Sequence, residues 1–170
     1  ILSGCLFFRG RRFSETNEAR KKYEKGMELT QLKMFEEAVR EFTAALEEDA
    51  GFSQAYYRRA LALQNQGELA KAISDYTKAI ELGPPDAELY YNRGIAYYYY
   101  DYLDKAIADW SRVIELDPEQ AQAYQKRAHA YLLKNDYAKS WEDVRRLEEL
   151  GYEAEAKFLA ELKRASGRKE

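Results

Sequence analysis

Four segments decide the reading: FEEAVREFTAAL at 35–46, LAKAISDYTKAI at 69–80, LDKAIADWSRVI at 103–114 and YAKSWEDVRRLE at 137–148. Each begins 34 residues after the one before. Working outward, a partner segment precedes each in the same register: ARKKYEKGMEL from Ala19, SQAYYRRALAL from Ser53, AELYYNRGIAY from Ala87 and AQAYQKRAHAY from Ala121. Chance does not hold one register over four copies at so many columns. Self-similarity at such a period marks a stacked array of supersecondary units. Units therefore tile residues 19–52, 53–86, 87–120 and 121–154 without insertion.

Within a unit the apolar spacing is helical. In the third, Tyr90, Gly94 and Tyr97 make one stripe; Leu103, Ala106, Ile107, Trp110, Val113 and Ile114 make a second. A short YYYD connection separates them, so each unit reads as a hairpin of helix A and helix B. For the third unit this predicts helix A over about 86–99 and helix B over about 103–116. Pro118 disfavours helix at Asp117 and suits the first turn of the next helix. Gly83-Pro84 and Gly151 punctuate the second and fourth units at the same place. Trp110 is predicted to lie in the core between the two helices of its hairpin.

The pattern resembles the tetratricopeptide repeat family over about four-fifths of the chain. The family's leading aromatic falls on Tyr56, Tyr90 and Tyr124, with Lys22 in the first unit. Its small residue, where the two helices cross closely, falls on Gly26, Ala60, Gly94 and Ala128. The second aromatic place holds Leu29, Leu63, Tyr97 and Tyr131. Helix B carries the small residue as Ala38, Ala72, Ala106 and Ser140, and the aromatic as Phe42, Tyr76, Trp110 and then Val144. The closing proline survives as Pro84 and Pro118. The outer units are the worn ones, as at the ends of a solenoid. The resemblance implies an all-α, right-handed solenoid of four hairpins. Within residues 155–170, Phe158, Leu159 and Leu162 form one apolar stripe, read as a capping helix followed by a basic tail that frays.

Composition excludes several classes. Hydrophobic residues at 46% beside 34% charged describe a folded chain, not a disordered one. A single cysteine, Cys5, and a single histidine, His129, leave no multi-ligand metal site. The net charge of −3 argues against nucleic acid as a partner. Phosphate-binding glycine loops, the H-E-x-x-H zinc motif and C-x-x-C are all missing. Carboxylate pairs such as Glu47 and Glu48 fall on solvated helix faces. The reading is a non-enzyme with no cofactor and no metal.

Charges inside the repeat are ordered too. Lys25, Arg59, Arg93 and Arg127 on the A helices each precede an acid by 16 residues: Glu41, Asp75, Asp109 and Asp143. Opposite signs four times over predict an ion pair within every hairpin, since a half-buried guanidinium needs a carboxylate. The other reading, a basic stripe for an acidic partner, is the weaker one.

In the family the A helices line the concave surface. By that resemblance the groove is lined by Tyr23, Tyr57 and Tyr91, with Met27, Leu61, Ile95 and His129 in the next column, and with Asn92 and Tyr98 beside them. A row of tyrosines among aliphatics suits a protein or peptide partner. Alternatively, each tyrosine packs between adjacent A helices. The family's clamp for chaperone carboxyl termini uses Lys, Asn and Arg. The matching places hold Tyr23, Met27, Arg58, Glu88 and Asn92, of which only Asn92 agrees.

Ahead of the repeats stands an arm, residues 1–13. Ile1, Leu2, Leu6, Phe7 and Phe8 are apolar, and Arg9, Arg11 and Arg12 follow. Leu2-Ser3-Gly4-Cys5 is similar to a lipoprotein lipobox. The arm also reads as the end of a signal anchor, or as part of an exported chain. A membrane enters only if Cys5 is lipidated or the arm is such an anchor. The arm is basic, the segment from Lys163 is equally basic, and the body from 14 to 162 carries −9. That asymmetry favours head-to-tail self-association into a homo-oligomer. Ile1, Leu2, Cys5, Leu6, Phe7 and Phe8 are the assembly residues. The expected function is a protein-interaction scaffold, the rival an exported subunit polymerising into a fibre or tube. The expected compartment is the cell envelope or the extracellular space, with the cytoplasm as the alternative.

Overall fold

The computed structural model describes residues 16–167. The expectations for the arm, and for the last three residues of the tail, lie outside the described residues. Among those described are nine α-helices. Helix α1 (Asn17–Gln31) pairs with α2 (Phe35–Glu48), α3 (Ser53–Asn65) with α4 (Leu69–Leu82), α5 (Ala87–Tyr99) with α6 (Leu103–Leu116), and α7 (Ala121–Leu133) with α8 (Tyr137–Glu149). The chain ends on α9 (Ala156–Ser166). The third hairpin begins and ends within a residue of its predicted bounds. Each helix B packs on the next helix A, so the hairpins stack in chain order. No described helix is long and apolar enough to cross a membrane.

The A-to-B turns share one backbone geometry. Lys33, Gly67, Asp101 and Asn135 occupy one column and all adopt positive φ, between 59° and 79°. The amide of the following residue then reaches back five positions. Met34 bonds to the Leu29 carbonyl, Glu68 to Leu63, Tyr102 to Tyr97 and Asp136 to Tyr131, at 2.8–2.9 Å. This left-handed closure satisfies helix-terminal carbonyls. Only Gly67 adopts it without steric cost.

The B-to-A connections differ from the expectation at Pro118. Helix α7 starts at Ala121, so Pro118 stands in the turn before the helix and not in its first turn. An Asp117 side chain that accepts from the Glu119 amide at 3.1 Å holds that turn. Asp117 itself is extended, with φ −140° and ψ 91°, as the residue before a proline should be.

Helix crossings are set by size matching between small and aromatic residues. A Cβ placed on Gly26 would lie 2.6 Å from the Phe42 ring, and one on Gly94 would lie 2.7 Å from the Trp110 indole nitrogen. Phe42, Tyr76 and Trp110 are all fully buried. Trp110 also donates its Nε1–H to the Tyr91 carbonyl at 3.3 Å, which satisfies the indole's polar atom inside the core. The capping helix buries Phe158 and Leu162 against Val144, Leu147 and Ala128 of the fourth hairpin, with Leu159 half-buried beside them. Trp141 donates to the Ser166 hydroxyl at 3.2 Å and ties down the end of the cap.

Candidate interaction surface

The A helices approach one another across hairpins, α1 with α3 and α3 with α5. Closer approach on that side curves the stack towards the A helices and makes theirs the inner face. What that face presents depends first on what holds each A helix in rotation, and there the ion pairs act.

Arg59, Arg93 and Arg127 each make a two-pronged contact with their carboxylates. In the third hairpin Nε donates to Asp109 Oδ2 at 2.8 Å and Nη2 donates to Oδ1 at 2.7 Å. Arg59 with Asp75 and Arg127 with Asp143 repeat this at 2.7–2.9 Å. In the first hairpin Lys25 meets Glu41 at 2.5 Å, on a side chain 62% exposed. The three arginines are thus internal struts and not a basic stripe. Burial pushes the Asp109 and Asp143 carboxyls upward, and the guanidinium of each partner pulls them back.

A third prong went unread in the sequence. The remaining nitrogen, Nη1, donates to a hydroxyl on the preceding helix B: Arg59 to Thr43 at 3.0 Å, Arg93 to Thr77 at 3.1 Å and Arg127 to Ser111 at 2.9 Å. Each guanidinium therefore spans two repeats. The signal was present, since Thr43, Thr77 and Ser111 recur at the repeat interval and each stands 16 residues before its arginine. Tyrosine rings flank the planes, Tyr90 and Tyr97 at 5.7 and 5.6 Å from Arg93.

On the inner face the structure separates the sequence candidates. Tyr57 is buried, and its hydroxyl accepts from the Asn92 amide at 3.1 Å across the gap to α5. Burial, with the Glu88 carboxylate nearby, pushes that hydroxyl far above the ordinary phenol range. It packs between A helices, the alternative left open for every tyrosine of the column. Tyr23 is half-buried against Phe42 and Phe52, with centroids 5.8 and 4.9 Å apart. Tyr91, Ile95 and Tyr98 lie half-buried over the Trp110 cluster, Met27 over Phe42, and Leu61 over the Tyr76 cluster. These six keep an open edge. His129, expected as an open groove contact, is covered: its ring stacks on Phe158 of the cap at 4.1 Å and 26°. Burial lowers its pKa, and Lys126 lowers it further.

Beside these side chains runs a polar row at the repeat interval: Arg58, Asn92 and Lys126. Half of the described cations are spent in ion pairs with neighbours three or four residues away or on the struts, whereas Lys33, Lys105, Arg145, Lys157 and Arg164 stand in none. Among the described residues Arg58 and Lys126 stand in no ion pair, and Arg58 lies 5.2 Å over the Tyr57 ring. Sequence reasoning weighed Arg58 and Asn92 only as places of a clamp, where Asn92 alone agreed, and missed Lys126 and the row that the three make.

The comparisons with known proteins agree with this architecture. Family models of the tetratricopeptide repeat match residues 53–86 and 87–120. No curated protein sequence matches the chain. Among solved structures, MamA from Desulfovibrio magneticus RS-1 is 26% identical; the match covers 81% of this chain and 77% of that one, with a TM-score of 0.75. A tetratricopeptide repeat protein from Parabacteroides merdae is 19% identical over 89% of this chain and 61% of that one, with a TM-score of 0.81. The first such domain of Spaghetti (RPAP3), bound to the HSP90 peptide SRMEEVD, is 24% identical over 72% of this chain and 97% of that one, with a TM-score of 0.67. The chain thus carries tetratricopeptide repeats at 53–86 and 87–120 within an all-α solenoid, the architecture of a protein-interaction scaffold.

Proposed function

We propose that the inner face binds an extended segment of a partner protein carrying carboxylates, with apolar side chains between them. The observation that supports this is the row of Arg58, Asn92 and Lys126, whose two cations stand in no ion pair among the described residues, beside the open edges of Tyr91, Ile95, Leu61 and Met27. Neighbouring A helices sit about 10 Å apart, so the row spans about 20 Å. An extended peptide rises ~3.3 Å per residue, which brings every third side chain over the next helix. Acids two such intervals apart, about six residues, meet Arg58 and Lys126, with Asn92 reading the position between. The intervening residues pack on the aromatic and aliphatic edges, which give area and fix orientation. The recognised acids are side chains within a segment, because the places that would grip a terminal carboxylate hold Tyr23, Met27 and Glu88.

Selection of a displayed random peptide library on the intact protein tests this. Enriched sequences should carry acids about six residues apart. Binding should fall at least tenfold in Arg58→Ala and in Lys126→Ala, and weaken steeply with salt. Neutral or basic consensus peptides, or affinities indifferent to both substitutions, would overturn the proposal.

A further inference from the structure

Eight large apolar side chains are exposed among the described residues, and six of them lie at the A-to-B turns: Leu32, Met34, Tyr99, Tyr100, Tyr102 and Leu133. They are not spread evenly. The second turn, Gln66-Gly67-Glu68, contributes none. The third and fourth turns carry Tyr99 at 70% exposure, Tyr100 at 43%, Tyr102 at 46% and Leu133 at 53%. The tyrosines form a cluster, with Tyr100 and Tyr102 centroids 5.0 Å apart and Tyr99 edge-on to Tyr98 at 5.8 Å. Lys105 stands 4.9 Å from the Tyr102 ring, so these faces already accept a cation. Tyr102 also packs against Tyr97 at 6.3 Å, yet all three rings stay largely open to solvent, and a patch of this kind marks an interaction site.

Its size narrows the occupant. At 150–250 Å² per buried ring, the exposed parts sum to roughly 400 Å². A stable interface between two folded faces takes about 800 Å² from each partner. A second solenoid face is therefore too large a cover, and a segment of about eight residues fits. The chain contains such a segment outside the described residues: ILSGCLFFRGRR, with five large apolar side chains followed by three arginines. Its chemistry is complementary, phenylalanine and aliphatic side chains for the tyrosine faces and guanidinium groups for cation–π contact. Its charge of +3 meets a body of −9, and Asp101 lies exposed at the centre of the patch without an ion pair among the described residues.

We infer that the tyrosine edge at residues 99–102 receives the N-terminal arm of a neighbouring copy of this chain. Reach favours the neighbour over the same chain. The arm joins at Thr16, which caps the start of α1, whereas the tyrosines lie at the far end of the helices and two hairpins along. Fifteen helical residues rise about 22 Å, and two hairpins step about 20 Å, giving a path of about 30 Å. Covering that path takes about nine extended residues. The arm's own Phe7 and Phe8 would be consumed in transit. A neighbouring copy imposes no such limit. This surface is separate from the Arg58–Asn92–Lys126 row, so the inference stands or falls independently of the proposed function.

The test is sedimentation of the full chain over a wide concentration range, with two variants and their mixture. One variant is Tyr99→Ser/Tyr100→Ser/Tyr102→Ser, the other Phe7→Asp/Phe8→Asp. The unaltered protein should rise above the monomer mass of 19.9 kDa with concentration. Each variant alone should associate at least tenfold more weakly. An equimolar mixture should recover a dimer, because one copy supplies the arm and the other the edge. Unchanged helical circular dichroism, and the single variant Tyr99→Ser, guard against misfolding. A monomeric unaltered protein, an edge variant that associates normally, or a mixture that stays monomeric would each overturn the inference; the last would assign the arm to its own chain.

Discussion

Replacing Arg93 by methionine removes three hydrogen bonds at once and leaves Asp109 without its partner. The strut is well inside the protein: the Arg93 side chain is 14% exposed and that of Asp109 is 7%. Methionine keeps most of the side-chain volume and its contacts with Tyr90 and Tyr97, so the loss is electrostatic. Breaking a buried pair by removing one partner costs about 3–5 kcal/mol, most of it the unpaired charge left behind. Arg93→Met/Asp109→Leu removes that charge as well and should be far milder, from neutral to about 2 kcal/mol destabilising, the residue being Thr77 and lost packing. Thr77→Val alone should cost about 1 kcal/mol, through the strut's one hydrogen bond from the third repeat to the second. Urea unfolding of the unaltered protein, Arg93→Met, Asp109→Leu and the double variant, followed by circular dichroism, gives the cycle; equal m values show that the same surface unfolds in each. A coupling energy of about 2 kcal/mol or more between Arg93 and Asp109 is the expected result. If the double variant loses as much as the sum of the singles, the strut does not act as a unit and the reasoning fails.

Three further outcomes follow from the same geometry. Gly94→Ala drives a Cβ to within 2.7 Å of the Trp110 indole, and should cost about 1–3 kcal/mol and shift tryptophan emission, with Trp110→Phe relieving part of the loss. Lys33→Gly removes a side chain from φ 59° and should stabilise thermal unfolding by about 0.5–1 kcal/mol, whereas Asn135→Gly should gain less because asparagine tolerates that region. His129 has a folded-state pKa below its unfolded value, so the unfolded chain binds the extra proton first. Its contribution is full above the unfolded value of ~6.5 and is lost as pH falls through the folded one; the melting temperature should therefore drop on acidification, less so in His129→Phe.

Much of the fold was legible because the repeat interval averages out local ambiguity. The expected helices at about 86–99 and 103–116 came from columns, not from propensity, and four copies of one base-to-acid spacing announced the struts. What stayed hidden depends on three-dimensional rotation. Threonine and serine inside a helix look like ordinary polar faces, and only the observed Nη1 contacts give Thr43, Thr77 and Ser111 their role. Tyr57 shares a column with Tyr23 and Tyr91 yet is buried, because Asn92 of the next hairpin draws its hydroxyl inward. His129 was placed in an open groove because a column pattern does not say where the helix after the last hairpin lies. The sequence marks the tyrosine edge only as a short connection, since the turn that exposes Tyr99, Tyr100 and Tyr102 depends on a left-handed residue at Asp101.

The most direct measurement of the central claim is a map of backbone amide shifts by NMR as an acidic, library-selected peptide is added to the full chain. Shifts should concentrate on α3, α5 and α7, at Arg58, Leu61, Asn92, Ile95 and Lys126, and move in register from repeat to repeat. Shifts confined to the B helices α4, α6 and α8, or to the turns at 99–102, would contradict the assignment of the inner face as the binding surface.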